Sequence, residues 1–196
     1  MAIKAQDIQK LRQQTGIGMM DCKKFLQDAG GDFDKAVEAA RKQGEKIAAK
    51  KADREASEGL IDAYIHPGNQ VGVLIQVNCE TDFVARNEEF KELVHDLAMH
   101  IAAYNPTYIS SEDIPEDVIA KEKEIIKEQL KNEGKPAKML DKIMTGKIEK
   151  YYEEVCLLNQ SFLKNEDQSV KDYLEEKISK IGENISVAKF ERFALK

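Results

Sequence analysis

The sequence has no long apolar run, and its three cysteines, Cys22, Cys79 and Cys156, lie far apart. No stretch is long and apolar enough to span a bilayer, and Met1–Asp7 contains no signal-like apolar core. The sequence therefore predicts neither a membrane segment nor a secretion signal. An odd number of cysteines without CxxC spacing argues against a disulfide-bonded scaffold or a zinc site, and fits a reducing cytoplasm.

The short motifs of common enzymes are also missing. The sequence contains no GxxxxGK[ST] phosphate loop, no GxSxG nucleophile turn and no HExxH metal motif. His95 and His100 lie on one predicted helix but point about 140° apart, so they do not share the face that a metal site needs. His66 and His95 have no nucleophile at a recognisable spacing, and no carboxylate pair stands out as acid and base. The sequence predicts no covalent catalysis, no metal and no cofactor.

Charge is unevenly distributed over the 196 residues. The net charge is -6, yet residues 1–57 contain 12 lysines and arginines against 9 acidic residues, which leaves 18 against 27 in the rest. An acidic chain with its basic excess in one small segment is a poor candidate for wrapping nucleic acid. That segment either contacts an acidic or phosphate-bearing partner or is a solvated helix face, which is the commoner case.

Periodicity predicts three parts along the chain. Residues 1–43 read as three short helices, separated at Gly16 and at Gly30-Gly31. Residues 44–57 are rich in Lys, Ala, Glu and Asp, which is typical of a charged helical linker. Residues 58–196 form the core domain.

The core pattern mixes strands and helices. Apolar residues alternate over 61–65 and again over 71–77, with a turn between, which predicts a β-hairpin. Ile185–Phe193 alternates in the same way and predicts a final strand. Strands that bracket helices without regular alternation indicate an α+β fold, with a small antiparallel β-sheet packed against helices.

Helices account for the rest of the core. An unbroken apolar stripe from Phe90 to Ile101 predicts the clearest helix of the chain. A further helical stretch covers about 116–155, with an interruption predicted at Gly146.

The connection Thr81-Asp82-Phe83-Val84 follows the second strand and precedes the clearest helix. Two interpretations are open for it. In the first, Thr81 or Asp82 caps the helix and Phe83 packs as a staple against the sheet. In the second, the segment protrudes as a wedge, apolar at its tip with a carboxylate beside it. Composition favours the staple, because buried phenylalanines greatly outnumber exposed ones.

Four segments resemble the elongation factor Ts family in the order of that family's signatures: Leu11–Lys24, Val71–Asn87, Leu157–Lys164 and Lys180–Phe193. The resemblance implies a three-helix domain like the ubiquitin-associated (UBA) domain, a linker helix, and a core with a small antiparallel sheet. It also implies guanine-nucleotide exchange on elongation factor Tu during translation, in the cytoplasm, without direct contact to nucleic acid or membrane.

The same resemblance implies which residues act. The segment Thr81–Val84 would enter between helices of elongation factor Tu and disturb its Mg²⁺ site, while Arg12, Met19 and Met20 would contact the partner's nucleotide domain. Asp82 would either accept hydrogen bonds or repel nearby carboxylates. Met20 fits either a contact or core packing. The alternative function is a UBA-like module that binds peptides or ubiquitin-type proteins without exchange activity.

The size of the chain also predicts a homodimer. Longer members of the family carry two related core subdomains, whereas this chain carries one. A three-stranded sheet leaves edges and one face uncovered, and two copies about a two-fold axis would cover that face. The alternative is a monomer in which residues 116–155 fold back over the sheet.

Overall fold

The computed structural model describes residues 3–132 and 137–195. Its α-helices there are α1 (Ala5–Thr15), α2 (Met19–Asp28), α3 (Phe33–Lys51), α4 (Asp82–Ala85), α5 (Glu88–Tyr104), α6 (Glu116–Asn132), α7 (Ala137–Val155) and α8 (Val170–Ile181). Its strands are β1 (Glu58–Ile65), β2 (Val71–Cys79), β3 (Ser161–Phe162), β4 (Asn165–Ser169) and β5 (Ile185–Ala194). None of the described helices has the length and apolarity to cross a bilayer. The predicted α+β class is confirmed.

The described chain divides into two compact units. The first contains the residues through Ala102 and those from Lys171 onward, and the second contains Ala103–Val170. The predicted domain boundaries, 1–43, 44–57 and 58–196, stay a prediction.

Helices α1, α2 and α3 form a bundle around fully buried small and apolar side chains: Leu11, Cys22, Leu26, Ala36 and Ala40. α1 ends where Gly16 adopts a φ of 66°, and the N–H of Gly16 donates to the carbonyl of Arg12. Glycine takes this left-handed conformation without a Cβ clash. Asp32 caps α3 by accepting the backbone N–H of Lys35 at 3.2 Å. The three predicted helices are confirmed, and the likeness to a UBA domain stays a prediction.

α3 is longer than the third helix expected for the bundle. It continues through Gly44 to Lys51, and its buried positions recur every four residues: Ala36, Ala40, Gly44 and Ala48. This spacing keeps one face of the helix buried along most of its length. The helical character predicted for residues 44–57 is therefore present as far as Lys51.

The main sheet has the strand order β1–β2–β5, and both pairings are antiparallel. Gly68 and Asn69, in the turn between β1 and β2, have φ values of 94° and 54°, which glycine and asparagine tolerate best. One face of β2 is buried at alternate residues: Val73, Ile75, Val77 and Cys79. The predicted hairpin and the predicted last strand are both confirmed.

α5 carries the predicted apolar stripe, which is fully buried: Phe90, Leu93, Val94, Leu97 and Ile101. The carbonyl of Ala102 at its end accepts a hydrogen bond from Arg192 of β5 at 3.1 Å. Buried Asp96 accepts a hydrogen bond from the Tyr173 hydroxyl of α8 at 3.0 Å. α5 is thereby tied to the last strand and to the last helix.

In the second unit, α6 and α7 pack together through Ile126, Leu130 and Ile148. α7 runs without a break through Gly146, so the interruption predicted there is wrong. A glycine in a helix interior costs only about 1 kcal/mol relative to alanine. Burial of Ile148, with Tyr152 packed beside it, is enough to carry the helix through. β3 and β4 add a two-stranded hairpin that the periodicity does not predict.

Candidate functional site

The segment 81–84 follows the end of β2 and contains the single-turn helix α4, which lies against β1 and β2. Thr81 is extended, with φ −129° and ψ 154°, and its Oγ1 accepts the backbone N–H of Val84 at 3.4 Å. Thr81 therefore caps a helix, as predicted, but that helix is the single turn α4 and not α5. α5 begins separately after Asn87, whose side chain accepts the N–H of Glu89 at 2.8 Å.

A carboxylate from the far end of the chain holds the base of this segment. Glu183 Oε2 accepts the backbone N–H groups of Glu80 and Thr81 at 3.1 and 3.0 Å. Glu183 Oε1 accepts the Thr81 hydroxyl at 2.6 Å. Buried Cys79 adds a thiol hydrogen bond to the Thr81 carbonyl at 3.2 Å, and burial raises the pKa of that thiol. The backbone just before α4 is fixed from both sides.

Glu80 in turn accepts a hydrogen bond from the turn that contains Glu183. Its Oε1 accepts the backbone N–H of Asn184 at 2.6 Å and a hydrogen bond from Arg54 at 3.4 Å. The hydrogen bond from Asn184 lowers the pKa of Glu80 below its ordinary value, and Arg54 acts in the same direction. The Asn184 side chain in turn donates to the carbonyls of Arg54 and Ala52, at 2.7 and 3.3 Å. The segment is thus connected to the residues that follow α3.

Phe83 stands out on this fixed turn because 79% of it is exposed. A phenylalanine that stapled α5 to the sheet would be buried, so the staple that composition favoured is wrong, although Thr81 does cap a helix. The capping hydrogen bond to Thr81 and the Glu183 contacts fix the turn without using the Phe83 ring. That leaves a large apolar side chain in solvent.

Asp82 lies beside Phe83 at the surface. Its Oδ2 is 3.0 Å from Arg86 Nη2, and 46% of the Asp82 side chain is exposed. An exposed ion pair between residues four apart on a helix contributes about 0–1 kcal/mol. Asp82 can therefore exchange Arg86 for another cation or donor at little cost.

The second group of predicted residues lies on the bundle. Arg12 is exposed on α1, as its position off the apolar stripe predicts. Met19 and Met20 are the first two residues of α2, and they are 53% and 78% exposed. Core packing of Met20 is therefore wrong. The buried residues of α2 are Cys22 and Leu26, one turn apart, and Met20 is not on that face.

The two histidines of α5 lie in different surroundings. His95 is exposed, and its Nδ1 is 3.0 Å from Asp62 Oδ2 of β1. His100 is fully buried. The two rings do not form a common site.

One acidic triplet among the described residues has the spacing for a cation: Glu45, Asp172 and Glu175. Burial raises the pKa of Glu175 above its ordinary value, although Lys171 opposes this. Clusters of this kind are common on acidic protein surfaces, and nothing else in the triplet indicates a ligand.

Sequence reasoning missed the residues that hold the segment 81–84 in place. Glu183 and Asn184 are more than 100 residues from the groups they bind. Their segment, Lys180–Phe193, is among those that carry the family resemblance, but no local pattern shows that it reaches Thr81.

Comparisons with known proteins agree on one family. Residues 7–196 match the family described as elongation factor TS. The chain is 56% identical over 191 residues to elongation factor Ts of Moorella thermoacetica, which covers 97% of this chain and 94% of that protein. It is 55% identical over 193 residues to elongation factor Ts of Thermodesulfovibrio yellowstonii, with coverage of 98% and 96%. It is 52% identical over 195 residues to that of Fervidobacterium nodosum, with coverage of 100% and 99%.

Proposed function

The chain belongs to the elongation factor Ts family, and on that premise we propose that it is a guanine-nucleotide exchange factor for elongation factor Tu in translation elongation. The observation that carries the proposal is the 79% exposure of Phe83 on a turn whose base is fixed by hydrogen bonds. A monomeric core gains nothing from such a residue, whereas a surface that enters a partner does.

Exchange of this kind requires no reactive group. The factor binds nucleotide-free elongation factor Tu more tightly than the GDP-bound form. By linkage, GDP then binds more weakly by the same ratio when the factor is present. GTP, binding next, displaces the factor. The factor thus changes an equilibrium of its partner and is not an enzyme in the sense of covalent chemistry.

Segment 81–84 supplies the preference for the nucleotide-free form. Phe83 enters between helices of the partner, where full burial contributes about 1.5–3 kcal/mol. Mg²⁺ bridges phosphate oxygens and demands near-octahedral geometry at short distances, so a small displacement of a ligand-bearing segment weakens its site. Asp82 acts beside the ring, either as a hydrogen-bond acceptor or by repelling carboxylates.

The bundle supplies a second contact. Arg12, Met19 and Met20 bind the partner's nucleotide domain, and all three are exposed. Methionine suits an irregular surface because its side chain is flexible and polarizable. The proposed partner is a protein alone, with no cofactor, nucleic acid or membrane. The three free, buried cysteines fit the cytoplasm where translation takes place.

The proposal predicts a nucleotide-free complex. Size-exclusion chromatography of this chain mixed with GDP-loaded elongation factor Tu should give a joint peak that lacks GDP by absorbance. Free GDP added in excess should dissociate the complex, so that the joint peak disappears. A joint peak that keeps its GDP would instead indicate a binding module without exchange activity.

We also propose that the free protein is a homodimer. The outer face of the sheet carries exposed apolar side chains on all three strands: Ile61, Ile65, Leu74 and Phe193. Ile65 and Phe193 both pair with Gly72, from either side, which brings them into one row across the sheet. Exposed apolar patches of this kind mark protein interfaces. The occupant that fits is a second copy, since one patch then satisfies both chains.

Leu74→Glu should convert the dimer to a monomer, because it places two charges at a self-complementary apolar face. Light scattering at micromolar concentration should give about twice the chain mass of 22.2 kDa for the unmodified protein. The variant should give the mass of one chain. Ile125→Glu, the same change at an exposed residue of α6, is the control and should stay dimeric. A mass of one chain for the unmodified protein at every concentration would remove the dimer.

A further inference from the structure

Two carboxylates link the start of the segment 81–84 to the turn between α8 and β5, each by accepting hydrogen bonds from the other side. Glu183 binds the backbone N–H groups of Glu80 and Thr81 and the Thr81 hydroxyl. Glu80 binds the backbone N–H of Asn184. We call these four residues, Glu80, Thr81, Glu183 and Asn184, the clasp.

We propose that Glu183 is a positioning residue for nucleotide exchange, which holds Phe83 at the angle required to enter the partner. The inference rests on the proposed function, in which Phe83 is the wedge. It adds a residue that touches neither the partner nor the nucleotide and acts through the segment 81–84 alone.

The first argument is that α4 cannot orient itself. It has four residues, far fewer than a helix needs to be stable in isolation. Its largest side chain, Phe83, is 79% exposed and so contributes little to anchoring the turn. Besides lying against β1 and β2, the turn is held at its base, where Glu183 accepts three hydrogen bonds from two consecutive residues.

The second argument is that the clasp joins both proposed contact regions. Asn184 donates to the carbonyls of Ala52 and Arg54, and Lys51 at the end of α3 donates to the carbonyl of Gly182. Arg54 also donates to Glu80. α3 belongs to the bundle that carries Arg12, Met19 and Met20. One short turn therefore fixes the 81–84 segment relative to the end of that bundle helix.

Loss of the carboxylate should reduce the rate of exchange and not the affinity. Glu183→Ala removes both acceptor oxygens, and with them all three hydrogen bonds, and leaves Phe83 present on a less constrained turn. Misplacing a group by about 1 Å costs up to about a hundredfold in reactions that depend on orientation. We expect the maximal rate of GDP release to fall about tenfold, which corresponds to about 1.4 kcal/mol at the barrier. The half-saturating concentration should stay within about twofold, because the bundle contacts are intact.

Two companion variants separate positioning from general destabilisation. Glu183→Gln keeps one acceptor oxygen for the two backbone N–H groups and should recover most of the rate. Glu166→Ala, which removes an exposed glutamate from β4, is the matched control and should exchange like the unmodified protein.

A double-mutant cycle is the decisive experiment. GDP release from labelled elongation factor Tu is measured at saturating factor for the unmodified protein, Glu183→Ala, Phe83→Ala and the double variant. If Glu183 acts through Phe83, Glu183→Ala slows release in the unmodified background and has no further effect once Phe83 is gone.

Three results would overturn the inference. The first is an unchanged rate for Glu183→Ala. The second is the same slowing with and without Phe83, which would place the effect elsewhere. The third is loss of cooperative melting in both Glu183→Ala and Glu183→Gln, which would make Glu183 a residue of stability. Failure of the unmodified protein to release GDP would be different, since it removes the proposed function itself.

Discussion

Phe83→Ala is expected to lower the maximal rate of GDP release from elongation factor Tu by about tenfold to a hundredfold, with little change in melting temperature. This loss of rate corresponds to the free energy of about 1.5–3 kcal/mol that the ring gains when it is buried inside the partner. The ring is 79% exposed in the free protein, so its removal leaves no cavity. A buried phenylalanine would instead cost about 3–5 kcal/mol of stability when truncated.

The measurement needs both quantities on the same variant. Stopped-flow fluorescence of labelled GDP gives the rate, and thermal unfolding followed by circular dichroism gives stability. Ile125→Ala truncates another exposed apolar residue, on α6, and should change neither. A Phe83→Ala protein that exchanges at the normal rate, or that melts markedly lower, would contradict the role given to the ring.

The double change Met19→Ala and Met20→Ala should have the opposite kinetic signature. We expect the half-saturating concentration for GDP release to rise about tenfold or more, since the few side chains at the centre of an interface can contribute about 2 kcal/mol or more each. The maximal rate should stay within about twofold, because the segment 81–84 is untouched. Alanine also favours the helix, so α2 should remain intact.

A titration of factor at fixed elongation factor Tu gives both parameters. Gln27→Ala, at the opposite end of α2 and also exposed, is the control. If the methionine variant lost maximal rate and kept its half-saturating concentration, the division of labour between bundle and wedge would be wrong.

The elements that the sequence predicts well are those whose signal is local. Alternation over β1, β2 and β5 and the stripe of α5 each lie within one segment, so each can be recognised without knowing its neighbours. Gly146 shows where local signals fail. Its low helix propensity predicts a break, but packing of α7 against α6 outweighs about 1 kcal/mol.

The candidate site shows the same difference between residues with a local signal and residues without one. The sequence identifies Thr81–Val84 as unusual, and the resemblance marks it as the acting segment. Composition alone predicts that Phe83 is buried, because most phenylalanines in folded proteins are buried. That average does not apply to a phenylalanine on a capped single turn. Glu183 could not be found from local pattern, since its role depends on contacts across more than 100 residues.

Catalytic release of GDP is the most direct test of the central claim. Elongation factor Tu loaded with fluorescent GDP is mixed with excess unlabelled nucleotide and with this protein. The concentration of this protein is kept far below that of elongation factor Tu. An exchange factor turns over, so the account predicts release of nearly all the labelled GDP, at a rate that increases in proportion to the added protein. Release limited to one GDP per added molecule, or no faster than without it, would contradict the account.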